Sequence, residues 1–301
     1  MEATGTQPLL SERAPWLPWA LLAVGVAAAS ISAILVRYAD GADPLAMSFW
    51  RCFAGAVALL PFATGGLRRA GSSVVRAPVV AGVFLALHFA TWMTSVNLTT
   101  VAASVLLVST TPVFVAIAAL MIYGERLPGI AWAGILLATG GAAVVGGGSL
   151  EGSSLDGNAL AVAGAATAGG YVMAGQVARR TLGILEYAVV TYAVSAVLLL
   201  VVCLVAGVDL AGYPAGTWLA IAGLVVGPQL LGHTVINLVL SDIDATTVSV
   251  TIMAEPVIAT ALAFWLFDEV PTWLLYPGGV AILAGIYMVS SARRDPVVIV
   301  E

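Results

Sequence analysis

Glu255 and Pro256 stand side by side near the middle of an apolar stretch, residues 248–271. At 1.5 Å rise per residue such a stretch crosses the hydrocarbon core of a bilayer. A carboxyl group at that depth must pair with a cation or carry a proton, which is the chemistry of a proton-coupled step or of a site for a substrate ammonium group. A structural role competes with it. Pro256 has no N–H to give the carbonyl near Ile252, and a protonated Glu255 could satisfy that backbone instead. Ionisable residues inside a membrane span are functional by default, which favours the first reading.

Other polar residues recur at matching places. Ser109, Thr110 and Thr111 precede Pro112, and Thr251 precedes Glu255; these hydroxyls either meet a substrate or bond the carbonyls of their own helix. His88 and Trp92 are four residues apart, as are His233 and Asn237, so each pair shares a helix face. Both pairs can line one cavity, with Trp92 as an aromatic wall and the Asn237 amide fixing polarity. The alternative is interhelical hydrogen bonding worth about 1 kcal/mol per bond. The two histidines lack companion ligands for a metal site. Arg51, several residues inside its span, either snorkels to the surface, pairs with an acid or binds an anionic group. Tyr171 and Gln176 are further cavity candidates, and Pro228, within Gly227-Pro228-Gln229, joins Pro112 and Pro256 as a hinge candidate. Cys52 and Cys203 sit in apolar segments and read as buried, inert thiols.

The elements that must position these residues are membrane helices. Of 301 residues, 61% are hydrophobic and 9% charged, with mean hydropathy +1.05, far from the balance of soluble domains. The apolar residues fall into ten segments, at 16–36, 44–62, 77–96, 100–123, 129–147, 157–178, 185–206, 217–240, 246–267 and 272–291. The first is too long for a signal-peptide core and lacks a basic flank, so it reads as a mature span. Polar segments 1–15 and 292–301 read as cytoplasmic tails, the first disordered. All eleven basic residues are arginines. With the N-terminus inside, only Arg37 falls outside among those flanking the spans, so both termini are expected in the cytoplasm. The net charge of −5 gives no support for nucleic-acid binding.

The chain repeats itself. Pro112 and Pro256 lie 144 residues apart, His88 and His233 fall in the corresponding third and eighth spans, and Glu125 and Glu269 follow the fourth and ninth. The expected fold is therefore all-α integral membrane: ten transmembrane helices as two inverted five-helix repeats, residues 16–148 and 157–291. An odd number of spans per copy turns the second copy over, an arrangement shared with many secondary transporters. Glycines of the fifth and tenth spans, such as Gly134, Gly140, Gly141, Gly278, Gly279 and Gly285, suit close helix packing.

Thr111-Pro112-Val113-Phe114-Val115-Ala116 running to Tyr123-Gly124-Glu125-Arg126-Leu127, and Glu255-Pro256-Val257-Ile258-Ala259-Thr260 running to Asp268-Glu269-Val270-Pro271, resemble the paired signatures of the EamA family, within the drug/metabolite transporter superfamily. The resemblance covers about residues 17–146 and 158–291. It implies a ten-helix carrier for amino acids, nucleosides, sugars, other metabolites or drugs, with a central cavity between the halves. The second copy departs from the first where Asp268-Glu269-Val270 replaces Gly124-Glu125-Arg126, as suits a loop on the outer face.

The function this predicts is secondary-active movement of a small metabolite, such as an amino acid, across the cell membrane, outward, by alternating access. The alternative is an exporter of lipophilic cationic drugs. An intramembrane enzyme lacks a nucleophile–base or metal constellation, and a passive channel is the remaining class. The expected partners are a small-molecule substrate, protons and the lipid bilayer, with a homodimer left open; no cofactor is expected. No Walker-type motif is present, so the energy would come from a gradient.

Overall fold

Proline and glycine set the helix boundaries. In the computed structural model, which describes residues 10–39, 41–69, 75–99, 101–124, 126–145, 153–267 and 273–292, the described residues form helices and no strand. A short turn, α1 (Leu10–Arg13), precedes α2 (Leu17–Ser30), α3 (Ser32–Tyr38), α4 (Pro44–Arg69) and α5 (Arg76–Leu98). The fourth predicted span is two helices, α6 (Val101–Val108) and α7 (Thr111–Tyr123), followed by α8 (Gly129–Val145). The second copy has α9 (Leu155–Arg179), α10 (Ile184–Ala206) and α11 (Ala215–Leu224), which runs through a π-helical stretch, Val225–His233, into α12 (Thr234–Leu238). Its broken span is α13 (Ala245–Ile252) and α14 (Glu255–Phe267), and α15 (Leu275–Ser291) follows. Glu125, Asp268, Glu269, residues 1–9 and the tail from 293 lie outside the described residues.

Among the described residues, seven helices are long and apolar enough to cross a membrane, and three shorter apolar ones, Gly129–Val145, Ala245–Ile258 and Leu275–Ser291, fall on other predicted spans. Large apolar side chains such as Leu136, Val205 and Trp265 are exposed on the outside of the bundle, where lipid tails would meet them. The chain is a multi-pass membrane protein. Within the segment expected as a tail, α1 donates the Ser11 N–H to Asp242 at 2.9 Å.

The two breaks have one cause. A proline ring clashes with the carbonyl four residues earlier and offers no N–H to it. For Pro112 that carbonyl belongs to Val108, the last residue of α6; for Pro256 it belongs to Ile252, the last of α13. Each chain makes a tight turn and restarts with the proline in its first helical turn, where the missing donor costs nothing. Elsewhere Gly124 and Gly207, at φ +65° and +68°, end α7 and α10 in the left-handed conformation that lacks a Cβ penalty. Asp244 and Ser154 open α13 and α9 by accepting the N–H of Thr247 and Gly157.

Packing is reciprocal between the two copies. α5 packs on α9 as α2 packs on the π-helical stretch, and the same exchange relates α5 on α10 to α4 on that stretch. Two pairs, α4 with α10 and α8 with α15, unite corresponding helices of the copies. Both of these pairs are antiparallel. Along α4 and α10, Gly55 lies against Tyr192 and Gly66 against Glu186. Along α8 and α15, Gly134 meets Gly285 and Gly141 meets Gly278, so closely that a Cβ on any of the four would sit 2.5–2.8 Å from the opposite glycine's carbonyl oxygen. Lipid supplies no hydrophobic drive for helix association, so such close contact and interhelical hydrogen bonds hold the bundle. Ser195 and Thr191 of α10 supply two of these bonds, to the carbonyls of Gly82 (2.8 Å) and Pro78 (3.2 Å) in α5. Leu85, Phe89, Tyr187, Tyr192 and Leu199 fill the centre between these helices.

Candidate functional site

The helix breaks open onto a cavity of about 160 Å³. Its wall comes from α2 to α7 in the first copy and from α9, the π-helical stretch and α12 to α14 in the second. The glycine-seam helices α8 and α15 stand outside it. Of the residues singled out in the sequence, Glu255, His88, Trp92, His233, Asn237, Thr111, Arg51 and Tyr171 line the cavity, together with Pro112, Pro228 and Pro256. Thr110, Thr251 and Gln176 are not among the lining residues. The Thr110 and Thr251 hydroxyls donate to Leu107 (2.6 Å) and Thr247 (2.8 Å) of the preceding turn, while the Gln176 side-chain oxygen accepts the Ala245 N–H at 3.3 Å. The first two thus satisfy their own helices, the usual behaviour of Thr in an apolar medium.

Glu255 is the first residue of α14. The partial positive charge of a helix N-terminus favours an anion there. Its carboxyl makes no hydrogen bond among the described residues, so it is not absorbed in repairing the backbone that Pro256 interrupts. The charged group it senses is Arg51, which faces the same cavity.

Arg51 is 1% exposed and does not snorkel. Its Nε donates to Gln229 Oε1 at 2.9 Å, and its guanidinium carbon stands 4.2 Å from the centre of the Phe89 ring. A cation over an aromatic face gains up to about 2 kcal/mol once desolvated. Among the described residues no carboxylate lies within ion-pair distance of it.

The His88 and Trp92 rings, one helical turn apart, stack with centroids 5.9 Å apart and planes 5° from parallel. His88 Nδ1 lies 2.9 Å from the Gly164 carbonyl of α9. A carbonyl can only accept, so Nδ1 carries the proton. Phe89 then links the two histidines: its ring is 5.3 Å from that of His88 and 5.4 Å from that of His233, which in turn lies 5.9 Å from Tyr171. Asn237 Nδ2 donates to the Tyr171 hydroxyl and to the His233 carbonyl, fixing α12 against α9.

Pro228 does not break its span. The chain continues as a π-helix over Val225–His233, in which the Thr234 N–H bonds the Gln229 carbonyl five residues back. The wide turn accommodates a residue without a donor, and such turns concentrate at functional sites. Here it buries Gln229 and brings His233 to the cavity.

Sequence reasoning passed over Phe89, Ser30, Ser32, Ser249 and Met253 as lining residues, and Gln229 as a partner of Arg51. Only Gln229 carried a signal: an amide inside an apolar span is costly and asks for a partner. Cys52 and Cys203 are buried and unbridged. Among the described residues no cluster of three His, Cys, Asp or Glu side chains is placed to hold a metal.

A helical membrane protein whose two reciprocal halves enclose a mostly apolar cavity with a few polar side chains has the form of a carrier or a pore. The EamA-like transporter family matches this chain twice, at residues 15–147 and 155–291, and the chain belongs to that family. The two matched segments coincide with the two reciprocally packed halves. A solved crystal structure is similar in fold, with a TM-score of 0.75 at 18% identity, over 91% of this chain and 96% of that one. Among curated proteins none matches.

Proposed function

We propose that this protein is a secondary-active carrier that moves a small metabolite outward across the cytoplasmic membrane by alternating access around the central cavity, with Glu255 as its proton or substrate-cation site. The observation that carries this reading is the convergence of two proline-broken helices, one from each half, on a single cavity that holds Glu255 at a helix start. Broken helices at corresponding positions mark the substrate sites of transporters built from repeats.

The antiparallel pairing of α8 with α15 and of α4 with α10 supports inversion of the second half relative to the first. Two halves so related can trade conformations, and the cavity then opens to one side or the other. The arginine distribution supports cytoplasmic termini, and the docking of α1 on Asp242 places the N-terminal segment beside the loop that follows the eighth span.

The test is counterflow in liposomes loaded with amino acids, nucleosides or sugars, for the wild type and Glu255→Gln. Saturable exchange that loses its pH dependence in the variant is expected. Non-saturable flux would make the protein a channel, and unchanged rate and pH profile in Glu255→Gln would remove the carboxyl from the mechanism.

A further inference from the structure

A fully buried arginine without a carboxylate partner leaves a positive charge uncompensated at close range, a state stable only if something else balances it. Arg51 is such a residue: it lines the cavity, is 1% exposed, and has the Gln229 amide and the Phe89 ring as its close partners. Glu255 faces the same cavity but acts on it only through space.

The geometry divides the guanidinium into used and unused parts. Gln229 Oε1 takes the Nε proton, which fixes the plane of the fork. Phe89 covers one face. Nη2 is buried with no hydrogen-bond partner, and the Gln229 Nε2 amide is buried with none either. Two orphaned donors therefore belong to one hydrogen-bonded pair, of which Arg51 lines the cavity and Gln229 does not. Buried donors cost free energy until they are met by an acceptor. A guanidinium edge pre-set by its own Nε bond matches the two oxygens of a carboxylate or phosphate. Had Arg51 served only to glue helices together, a neutral residue bonded to Gln229 would have avoided the charge.

Resting on the carrier reading above, we infer that Arg51, oriented by Gln229 and Phe89, is the anion subsite of the cavity, and that the transported solute carries an oxyanion, a carboxylate or phosphate group. Glu255 then faces the remainder of the solute. A purely cationic lipophilic drug finds the arginine repulsive, so the subsite also selects between the two classes of solute that the sequence left open.

The experiment uses the full chain in detergent, with thermal unfolding as the readout, since a ligand of the folded state raises its apparent stability. The probes are phenylacetate against phenylacetamide, acetate against acetamide, and inorganic phosphate. Gln229→Glu is the informative variant: a nearly isosteric change that gives Arg51 a covalently supplied carboxylate and closes the ion pair. Stabilisation of the wild type by an anion, not by its amide, with at least a tenfold weaker apparent Kd in Gln229→Glu and in Arg51→Lys, is expected. Phosphate acting in place of the carboxylates would assign the phosphate class. Anions that stabilise no better than amides, or equally in Gln229→Glu, overturn the subsite. Counterflow separates this from the carrier reading: saturable exchange of solutes without anion selectivity sinks the subsite alone, whereas anion binding without saturable exchange sinks the carrier alone.

Discussion

Pro112 and Pro256 stop the helices before them at equivalent points, the carbonyls of Val108 and Ile252, and restart them one turn later. The cavity is what the two interruptions leave between them. If the breaks serve movement and not stability, restoring the missing donor should cost transport alone. Pro112→Ala and Pro256→Ala are expected to shift unfolding by about 1 kcal/mol or less, within the range of a tolerated substitution, while lowering counterflow rates at least tenfold. Equal loss of stability and rate would mark the prolines as scaffold.

The glycine seam makes a second prediction. Gly134→Val or Gly285→Val drives a side chain into the facing backbone and should destabilise the protein by about 1–3 kcal/mol or more through overpacking. Gly140, on the same helix, has open space where a Cβ would stand. Gly140→Ala is expected to be neutral or to gain up to about 1 kcal/mol from helix propensity. Thermal unfolding in detergent of the three variants tests the contrast.

Orientation can be read chemically. In a background where Cys52 and Cys203 are replaced by alanine, Val75→Cys and Ala211→Cys tag corresponding loops of the two halves, before the third and eighth spans. Opposite-sided labelling by an impermeant maleimide in intact cells is expected. Same-sided labelling would exclude inversion.

His88 has a role separable from substrate contact. Its Nδ1 bond to Gly164 and its stack on Trp92 tie α5 to α9. His88→Ala should cost about 1–2 kcal/mol, the range for a polar contact between membrane helices, and shift the tryptophan emission as Trp92 loses its stacking partner. An unchanged spectrum and unfolding midpoint would refute the stack as a structural tie.

The two native thiols make the simplest check. Both are buried, so N-ethylmaleimide should modify neither Cys52 nor Cys203 in the folded protein and both after denaturation, as counted by mass spectrometry. Labelling of the native state would place them at a surface.

Much of the fold was legible because the bilayer restricts the alternatives: spans of about twenty apolar residues must be helices, and the recurrence of Pro112 at Pro256 exposed the duplication. The site was legible in part. His88 with Trp92, and His233 with Asn237, were placed on common faces by helical spacing alone. What spacing cannot supply is direction across the bundle. Thr111 and Thr110 are neighbours in sequence, yet one lines the cavity and the other does not. The π-helical stretch hid Gln229, because one wide turn rotates the residues after Pro228 away from the face a regular helix would give them. Phe89 and Met253 are apolar residues in apolar spans, and nothing in composition distinguishes a cavity wall from a lipid face.

The contact of Gly134 with Gly285 and of Gly141 with Gly278 is isologous, the same patch on each side, as in a twofold dimer. The chain therefore carries within itself the kind of interface by which a half-length ancestor would pair with a second copy. Joining the two copies frees them to diverge: one can keep Arg51 and the other Glu255, giving a single binding chamber two unlike ends that an identical pair could not provide.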